Sequence, residues 1–133
     1  MNNYMFYANL ISQNSTCDRA NVGAVIVKDN KVLSHGYNHN LEGLPNCEEE
    51  GHLMRDDHCI ATIHAEQDAI TCCAKEGIST KGASIYVTHF PCLNCAKLIV
   101  ASGIKVVYFK YKYRVDYVAV ELLLENNIIF REV

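Results

Sequence analysis

The chain has 133 residues, of which 50% are hydrophobic and 20% charged, and its formal net charge at neutral pH is −3. This length suits one domain (1–133) with a real core, which excludes a largely disordered chain. The near-neutral net charge does not predict the broad basic surface that binds duplex nucleic acid. No apolar run approaches the roughly 18 residues that span a bilayer, which excludes a membrane protein.

The first residues, MNNYMFYANLISQ, lack the basic and uninterrupted apolar regions of a secretory signal peptide. We therefore expect a cytoplasmic, reducing location, where structural disulfides are rare. The 7 cysteines also form an odd number, which argues against complete pairing. Metal ligation, catalysis or burial must then account for them.

The first half of the chain predicts one helix, one hairpin and one long loop. Hydrophobic spacing predicts a helix over 3–13, and a β-branched run followed by an Asp-Asn turn predicts a hairpin of strands 22–28 and 31–34. The segment 36–57 has no sustained periodicity, and a loop of that length in a compact domain is more often functional than idle.

The second half alternates helices and strands. The predicted elements are a helix 64–76 that ends before Gly77, a strand 83–89, a helix that Pro91 opens and that runs to 102, a strand 104–109, a helix 115–125 and a strand 128–132. This order predicts a three-layer α/β/α sandwich on a mixed five-stranded sheet. In such sheets the site lies at the carboxyl ends of strands, beside helix N-termini.

Two short segments carry candidate metal ligands: His64-Ala65-Glu66 and Pro91-Cys92-Leu93-Asn94-Cys95. Cys92 and Cys95 are three residues apart, so on a first helical turn their thiols share a face where the helix dipole favours thiolates. With His64 they form a Cys₂His set that leaves one tetrahedral position open, which is the arrangement of a catalytic zinc.

Glu66 lies two residues past the histidine, where it can handle the proton of a water molecule. Two thiolates cancel the charge of Zn²⁺ and weaken it as a Lewis acid, so a carboxylate base is needed. The order H-x-E and then P-C-x-x-C is the signature of zinc-dependent nucleobase deaminases. The alternative interpretation is a buried thiol pair with a capping histidine and a surface glutamate.

Three longer stretches extend this similarity: VGAVIV…GYN, HLMRDDHCIATIHAEQDAI and KGASIYVTHFPCLNCAKLIVASGIKVVY. From about residue 15 to 113 the chain resembles deoxycytidylate (dCMP) deaminases, most closely the bacterial late-competence-operon branch. The resemblance implies the cytidine-deaminase fold, hydrolysis of dCMP to dUMP and ammonia, a catalytic zinc and a homo-oligomer, either a hexamer or a dimer. It also implies regulation by dCTP and dTTP, with Mg²⁺ accompanying the regulatory nucleotide.

The resemblance also assigns roles to residues. His64, Cys92 and Cys95 would hold zinc, and Glu66 would pass protons from water to the ring nitrogen and to the departing amine. The candidates for substrate binding are Asn38, which matches an asparagine that contacts the nucleoside, Ala65, and, for the dianionic phosphate, Arg19, Tyr113 and Arg114. For Arg19 a solvated surface charge is the alternative.

Three positions depart from the family pattern. His39 stands where glycine is usual, Ala61 where arginine is usual and Asp68 where asparagine is usual. Losing an arginine and gaining an aspartate near the pocket would weaken affinity for a phosphorylated ligand. These departures bear on specificity for dCMP and on nucleotide regulation, and leave the deamination chemistry unchanged.

The remaining cysteines divide into two groups. Cys72 and Cys73 lie in the apolar body of a predicted helix and are expected to pack in the core. The other three flank or lie within the long loop, and we hypothesise a second, structural zinc bound by Cys17, Cys47, His52 and Cys59, with His58 able to replace one ligand. The alternative is three free thiols. His89 is expected to be structural or to line the pocket.

The sequence therefore predicts a zinc-dependent deaminase of a cytosine deoxynucleotide, with dCMP as the first candidate. A second hypothesis keeps the chemistry but changes the substrate to another cytosine or adenine nucleoside, or to a base in nucleic acid, for which the run Tyr108 to Tyr113 could supply stacking. With a net charge of −3, that run is better explained as a strand end and pocket rim. A third hypothesis is a catalytically silent, zinc-stabilised competence protein.

Overall fold

The computed structural model describes residues 3–16, 20–43, 62–112 and 114–133, together with the backbone of 54–55 and 58–59. The elements are, in chain order, α1 (Tyr4–Ser12), β1 (Gly23–Lys28), β2 (Lys31–Tyr37), β3 (His39–Asn40), β4 (Met54–Arg55), β5 (His58–Cys59), β6 (Thr62–Ile63), α2 (Ala65–Lys75), β7 (Ser84–His89), α3 (Leu93–Ala101), β8 (Val106–Tyr111), α4 (Tyr117–Glu125) and β9 (Ile129–Glu132). Within the described ranges, no helix combines the length and the apolar character needed to cross a membrane.

The main sheet has five strands in the order β2-β1-β7-β8-β9. Strand β1 is antiparallel to both of its neighbours, whereas β7, β8 and β9 run parallel to one another. The β1–β2 hairpin turns at Asp29 and Asn30, whose φ angles of 52° and 60° are those of the tight turn that matches strand twist. The predicted mixed five-stranded sheet is confirmed.

Helices cover both faces of this sheet. On one face, Ala8 of α1 packs on Val25 and Val27, which alternate along β1 with residues of the opposite face. On that opposite face, Ile26 belongs to the larger core that α2, α3 and α4 close, and its other buried members include Ile85, Val87, Ile99, Val107 and Leu123. The predicted three-layer α/β/α sandwich is confirmed.

Two boundaries differ from the sequence prediction at points that matter for the site. Strand β2 continues to Tyr37, three residues beyond its predicted end, because the antiparallel ladder pairs Tyr37 with Gly23. The predicted helix start at Pro91 is also wrong. The first intrahelical hydrogen bond of α3 is donated by Ala96 to the carbonyl of Cys92 (2.8 Å), so Cys92 is the N-cap and Pro91 lies outside the helix.

A smaller shift occurs at β8, which begins at Val106 rather than at 104. The ladder with β7 starts by pairing Ser84 with Val106, and Ile104 is instead buried in the preceding connection. The ladder with β7 also continues past the predicted end, because His89 pairs with Tyr111. This pairing extends β8 into the aromatic run.

Gly36 brings β2 and α2 into direct backbone contact. A Cβ atom at this position would lie 2.4 Å from the carbonyl oxygen of Ala65 and 2.5 Å from the amide nitrogen of Ala69. The Ser34 hydroxyl adds a hydrogen bond to the carbonyl of Ala69 (2.7 Å). Because α2 begins directly after His64, this close approach places that histidine relative to the sheet.

We expect Gly36→Ala to destabilise the fold by about 1–3 kcal/mol, because the new methyl group meets backbone atoms that cannot rotate away. Urea unfolding measures the change. Gly77→Ala is the control: its φ of 70° also disfavours a side chain, but no atom lies within 4 Å of a Cβ placed there. A loss of stability in Gly36→Ala no larger than that in Gly77→Ala would contradict the view that Gly36 sets the position of α2.

Candidate active site

The candidate site lies at one edge of the sheet, where two helices begin. Strand β7 ends at His89, and α3 starts three residues later with Cys92 as its N-cap. His64 is the N-cap of α2. Both cap residues have extended backbones, with ψ of 155° at His64 and 171° at Cys92. The predicted placement at a strand carboxyl end beside helix N-termini agrees with this arrangement.

The three predicted metal ligands converge there. The Nδ1 atom of His64 lies 3.3 Å from the Sγ of Cys95 and 3.5 Å from the Sγ of Cys92. Across the described part of the chain, these residues are the one group of three His, Cys, Asp or Glu side chains whose donor atoms all lie within 4.8 Å of one another. Tetrahedral zinc bonds of usual length separate such atoms by about 3.5–3.8 Å. The donor set therefore fits zinc.

The pKa values of the two thiols move in opposite directions. The Cys95 thiol donates a hydrogen bond to the Cys92 sulfur and, with a contribution from His64, lowers the pKa of Cys92 to about 4. The same hydrogen bond, together with burial, raises the pKa of Cys95. A hydrogen bond to Cys92 raises the pKa of His64, although burial opposes this change. The cluster is thus already disposed to hold a thiolate at neutral pH, as metal binding requires.

Glu66 is almost fully buried beside this cluster, with 5% of its surface exposed. Its carboxyl group interacts with the Cys95 thiol, and burial raises its pKa to about 7, while the charge of His64 acts in the opposite direction. A carboxyl group in such a place can both take up and release a proton near neutral pH. The alternative interpretation of Glu66 as a surface residue is wrong.

Gln67 fixes the start of α2 and was missed in the sequence analysis. Its Oε1 atom accepts a hydrogen bond from the backbone N–H of His64 (2.8 Å). This is half of a capping box, and the spacing of three residues between His64 and Gln67 is the signal that could have found it. The ligand histidine is therefore held through its own backbone.

Asn38 is buried at the same edge, and its amide group holds a neighbouring loop. The Oδ1 atom accepts a hydrogen bond from the N–H of Val22 (2.9 Å), and the Nδ2 atom donates one to the carbonyl of Ala20 (2.6 Å). The structure thus assigns Asn38 a supporting role at the start of β1. Its contact with a nucleoside stays a prediction.

The departures His39 and Asp68 are in contact with each other. The Nε2 atom of His39 lies 3.3 Å from the Oδ2 atom of Asp68, and the same oxygen accepts the N–H of Tyr37 (3.1 Å). The expected added charge of Asp68 therefore has a cationic partner whenever His39 is protonated. The sequence singled out both positions but contained no signal that they touch.

The other candidates are more scattered. Ala65 is fully buried as the first residue of α2. Arg114 is exposed after β8, with a left-handed backbone (φ 49°). Arg19, Tyr113, Ala61, Cys17, Cys47 and His52 lie outside the described residues, and for Cys59 and His58 the description covers only the backbone of β5. The substrate-binding roles and the second zinc site therefore stay predictions.

The two adjacent cysteines of α2 lie in different environments. Cys73 is fully buried in the core, as predicted, with its Sγ atom 3.2 Å from the Ser34 hydroxyl. Cys72 is half-buried and lines an open cavity with Val32 and His35, so the expectation of core packing is wrong for it. Successive helix positions point about 100° apart, so only one of the pair can face the sheet.

Tyr108 and His89 both make contacts within the protein. Tyr108 of β8 stacks on Tyr86 of β7, with ring centroids 4.5 Å apart and planes 18° apart, so this face of the ring is used within the protein. His89 is half-buried, and its Nδ1 atom lies 2.8 Å from the Thr88 hydroxyl. Burial lowers the pKa of His89, which favours the neutral ring.

Comparison with known proteins assigns this arrangement to a family. Residues 1–111 match the model of the cytidine and deoxycytidylate deaminase zinc-binding region. The chain is 45% identical to ComE operon protein 2 of Bacillus subtilis (strain 168), over 98% of this chain and 69% of that protein. It is 37% identical to the deoxycytidylate deaminase of Mycobacterium phage D29, over 80% of this chain and 91% of that enzyme.

Comparison with solved structures indicates the same family. The dCMP deaminase of cyanophage S-TIM5, crystallised in complex with dCMP and dUMP, superposes with a TM-score of 0.84 at 34% identity, covering 98% of this chain and 93% of that one. The predicted family and its competence-operon branch are confirmed. The chain belongs to the cytidine and deoxycytidylate deaminase family of zinc-binding enzymes.

Proposed function

We propose that this protein deaminates dCMP, hydrolysing it to dUMP and ammonia. The observation that carries the proposal is the buried carboxyl group of Glu66 beside the donor set of His64, Cys92 and Cys95. Support for the substrate comes from the relatives, since deoxycytidylate deaminases from a mycobacteriophage and from yeast align with 80% and 97% of this chain. A further relative of known structure binds dCMP and dUMP in its crystals.

In this proposal the Nδ1 atom of His64 and the sulfurs of Cys92 and Cys95 hold one zinc ion. Bound zinc supplies Lewis acidity, which lowers the pKa of water. The three residues come from two helix N-termini, whose partial positive charge favours the thiolates. Three protein ligands leave a position open, which distinguishes a catalytic site from a closed structural one.

Glu66 moves the protons. It takes a proton from the attacking water and delivers it to N3 of cytosine as the oxygen adds to C4. It then takes the proton of the new C4 hydroxyl group and transfers it to the exocyclic nitrogen, and the C4–N bond breaks to release ammonia and leave the C4 carbonyl of uracil. Burial of the carboxyl group keeps bulk water from exchanging these protons.

Several finer expectations belong to the same proposal. Asn38 and Ala65 would contact the nucleoside, and Arg19, Tyr113 and Arg114 would contact the phosphate. We further propose a structural zinc at Cys17, Cys47, His52 and Cys59, a homo-oligomer, regulation by dCTP and dTTP with Mg²⁺, a single domain over 1–133 and a cytoplasmic location.

Replacing the proposed base tests the chemistry. We expect Glu66→Gln to retain zinc but to lose dCMP deamination by a factor of about 10²–10⁴, because the amide cannot shuttle protons. Ammonia release and metal analysis measure the two properties. Glu76→Gln, at the other end of α2, is the control that should stay active. Retained activity in Glu66→Gln would contradict the assigned role.

A zinc count tests the second site. We expect two zinc ions per chain in the wild-type protein and one in either Cys92→Ser or Cys47→Ser. Cys72→Ser, at a half-buried thiol outside both sets, should keep both ions. A single ion in the wild-type protein that is absent from Cys92→Ser would remove the structural zinc from the proposal.

Substrate comparison tests the requirement for a phosphate. A cationic phosphate site should favour dCMP over deoxycytidine by about 10- to 100-fold in kcat/KM, since hydrogen bonds to a charged group contribute about 1.5–3 kcal/mol. Steady-state rates for dCMP, deoxycytidine and cytidine measure this ratio. If deoxycytidine is the better substrate, the preference for a monophosphate is wrong.

A further inference from the structure

Strand β3 meets the chain immediately before the ligand histidine. In the β3–β6 ladder, His39 pairs with Ile63, the residue that precedes His64. This pairing holds the main chain on the N-terminal side of the segment that carries His64 and Glu66. It depends on backbone atoms, so any residue at position 39 could make it.

The side chain of His39 adds a second attachment on the far side of that segment. Its Nε2 atom lies 3.3 Å from the Oδ2 atom of Asp68, one helical turn after His64. The N–H of Asp68 donates to the carbonyl of His64 (2.9 Å), so the position of Asp68 is coupled to that of the first turn of α2. His39 therefore contacts the chain both before and after the pair His64 and Glu66.

The ring of His39 has an oxygen atom beside each of its two nitrogens. The Nδ1 atom of His39 lies 3.2 Å from the carbonyl oxygen of Asn40, and a carbonyl oxygen can only accept. The Nε2 atom faces a carboxylate oxygen, which also accepts. The ring is therefore held by a polar contact on each side.

The pair is partly sheltered from solvent. The side chains of His39 and Asp68 are 25% and 17% exposed, and the ring of Tyr37 packs on His39 with centroids 4.8 Å apart. The N–H of Tyr37 donates to the same oxygen of Asp68 (3.1 Å). Because this oxygen is held by the end of β2 as well as by His39, the contact joins the sheet to the first turn of α2.

We propose that His39, acting through Asp68, is a positioning residue that holds His64 and Glu66 in register with the two cysteines. The inference rests on the proposed roles of His64 and Glu66. Neither His39 nor Asp68 touches the zinc donors through its side chain in the contacts described above. Their effect is instead to limit movement of the first turn of α2, on which the distance from His64 to the two sulfurs depends.

A double-mutant cycle tests the proposal, using Asp68→Ala, His39→Gln and their combination. We expect each single variant to lower kcat for dCMP by about 10-fold and to speed zinc release to a chelator by about 10-fold, the lower end of the loss seen for outer-shell partners of metal sites, while KM for dCMP does not rise. The combination should be no worse than either single variant. His35→Ala, which removes a β2 histidine paired with Tyr7 of α1, is the matched control and should behave as wild type.

A spectroscopic measurement separates positioning from general destabilisation. In the zinc-loaded protein, the ring ¹⁵N shifts of His39 should report its contact with Asp68, and Asp68→Ala should move them while its urea midpoint stays close to wild type. Additive effects in the cycle, or zinc release equal to that of His35→Ala, would overturn the proposal. If wild-type protein fails to deaminate dCMP, the proposed function is wrong, whereas zinc release and the ¹⁵N signals still decide the role of His39.

Discussion

The rest of the structure depends on the meeting of two helix N-termini at one sheet edge. Tetrahedral zinc requires donor atoms about 3.5–3.8 Å apart, and here segments far apart in the sequence supply them. Here α2 supplies His64 from its N-cap, and α3 supplies Cys92 from its N-cap and Cys95 from its first turn. The extended backbone at both caps lets the side chains of His64 and Cys92 reach across the gap between the helices.

Burial of the Glu66 carboxyl group beside that cluster costs folding free energy. Glu66 is 5% exposed, and burial raises its pKa to about 7, so a stable fold would favour an apolar residue at this position. Contacts that take no part in the reaction offset this cost by stabilising the start of α2. Gln67 caps the helix, Gly36 allows the backbone of α2 to rest on β2, and Asp68 joins its first turn to the end of that strand.

Local patterns predicted the elements well where one segment decides its own conformation. The Asp29–Asn30 turn and the helix stop at Gly77 require left-handed backbone, which these residue types accept. Prediction failed where a distant partner decides. Strand β2 runs to Tyr37 because Gly23 lies opposite, and β8 runs to Tyr111 because His89 lies opposite. Neither partner can be identified from the local sequence.

The sequence by itself singled out the candidate ligand set and the candidate base, because the spacing of His64, Glu66, Cys92 and Cys95 matches the chemistry of zinc and of proton transfer. It also singled out His39 and Asp68 as unusual, without relating them. Only the tertiary structure decided that these two side chains meet and that Asn38 supports the start of β1. Side-chain pairing between residues 29 positions apart is set by the pairing of β3 with β6, the strand that leads into α2, and sequence spacing alone does not encode that pairing.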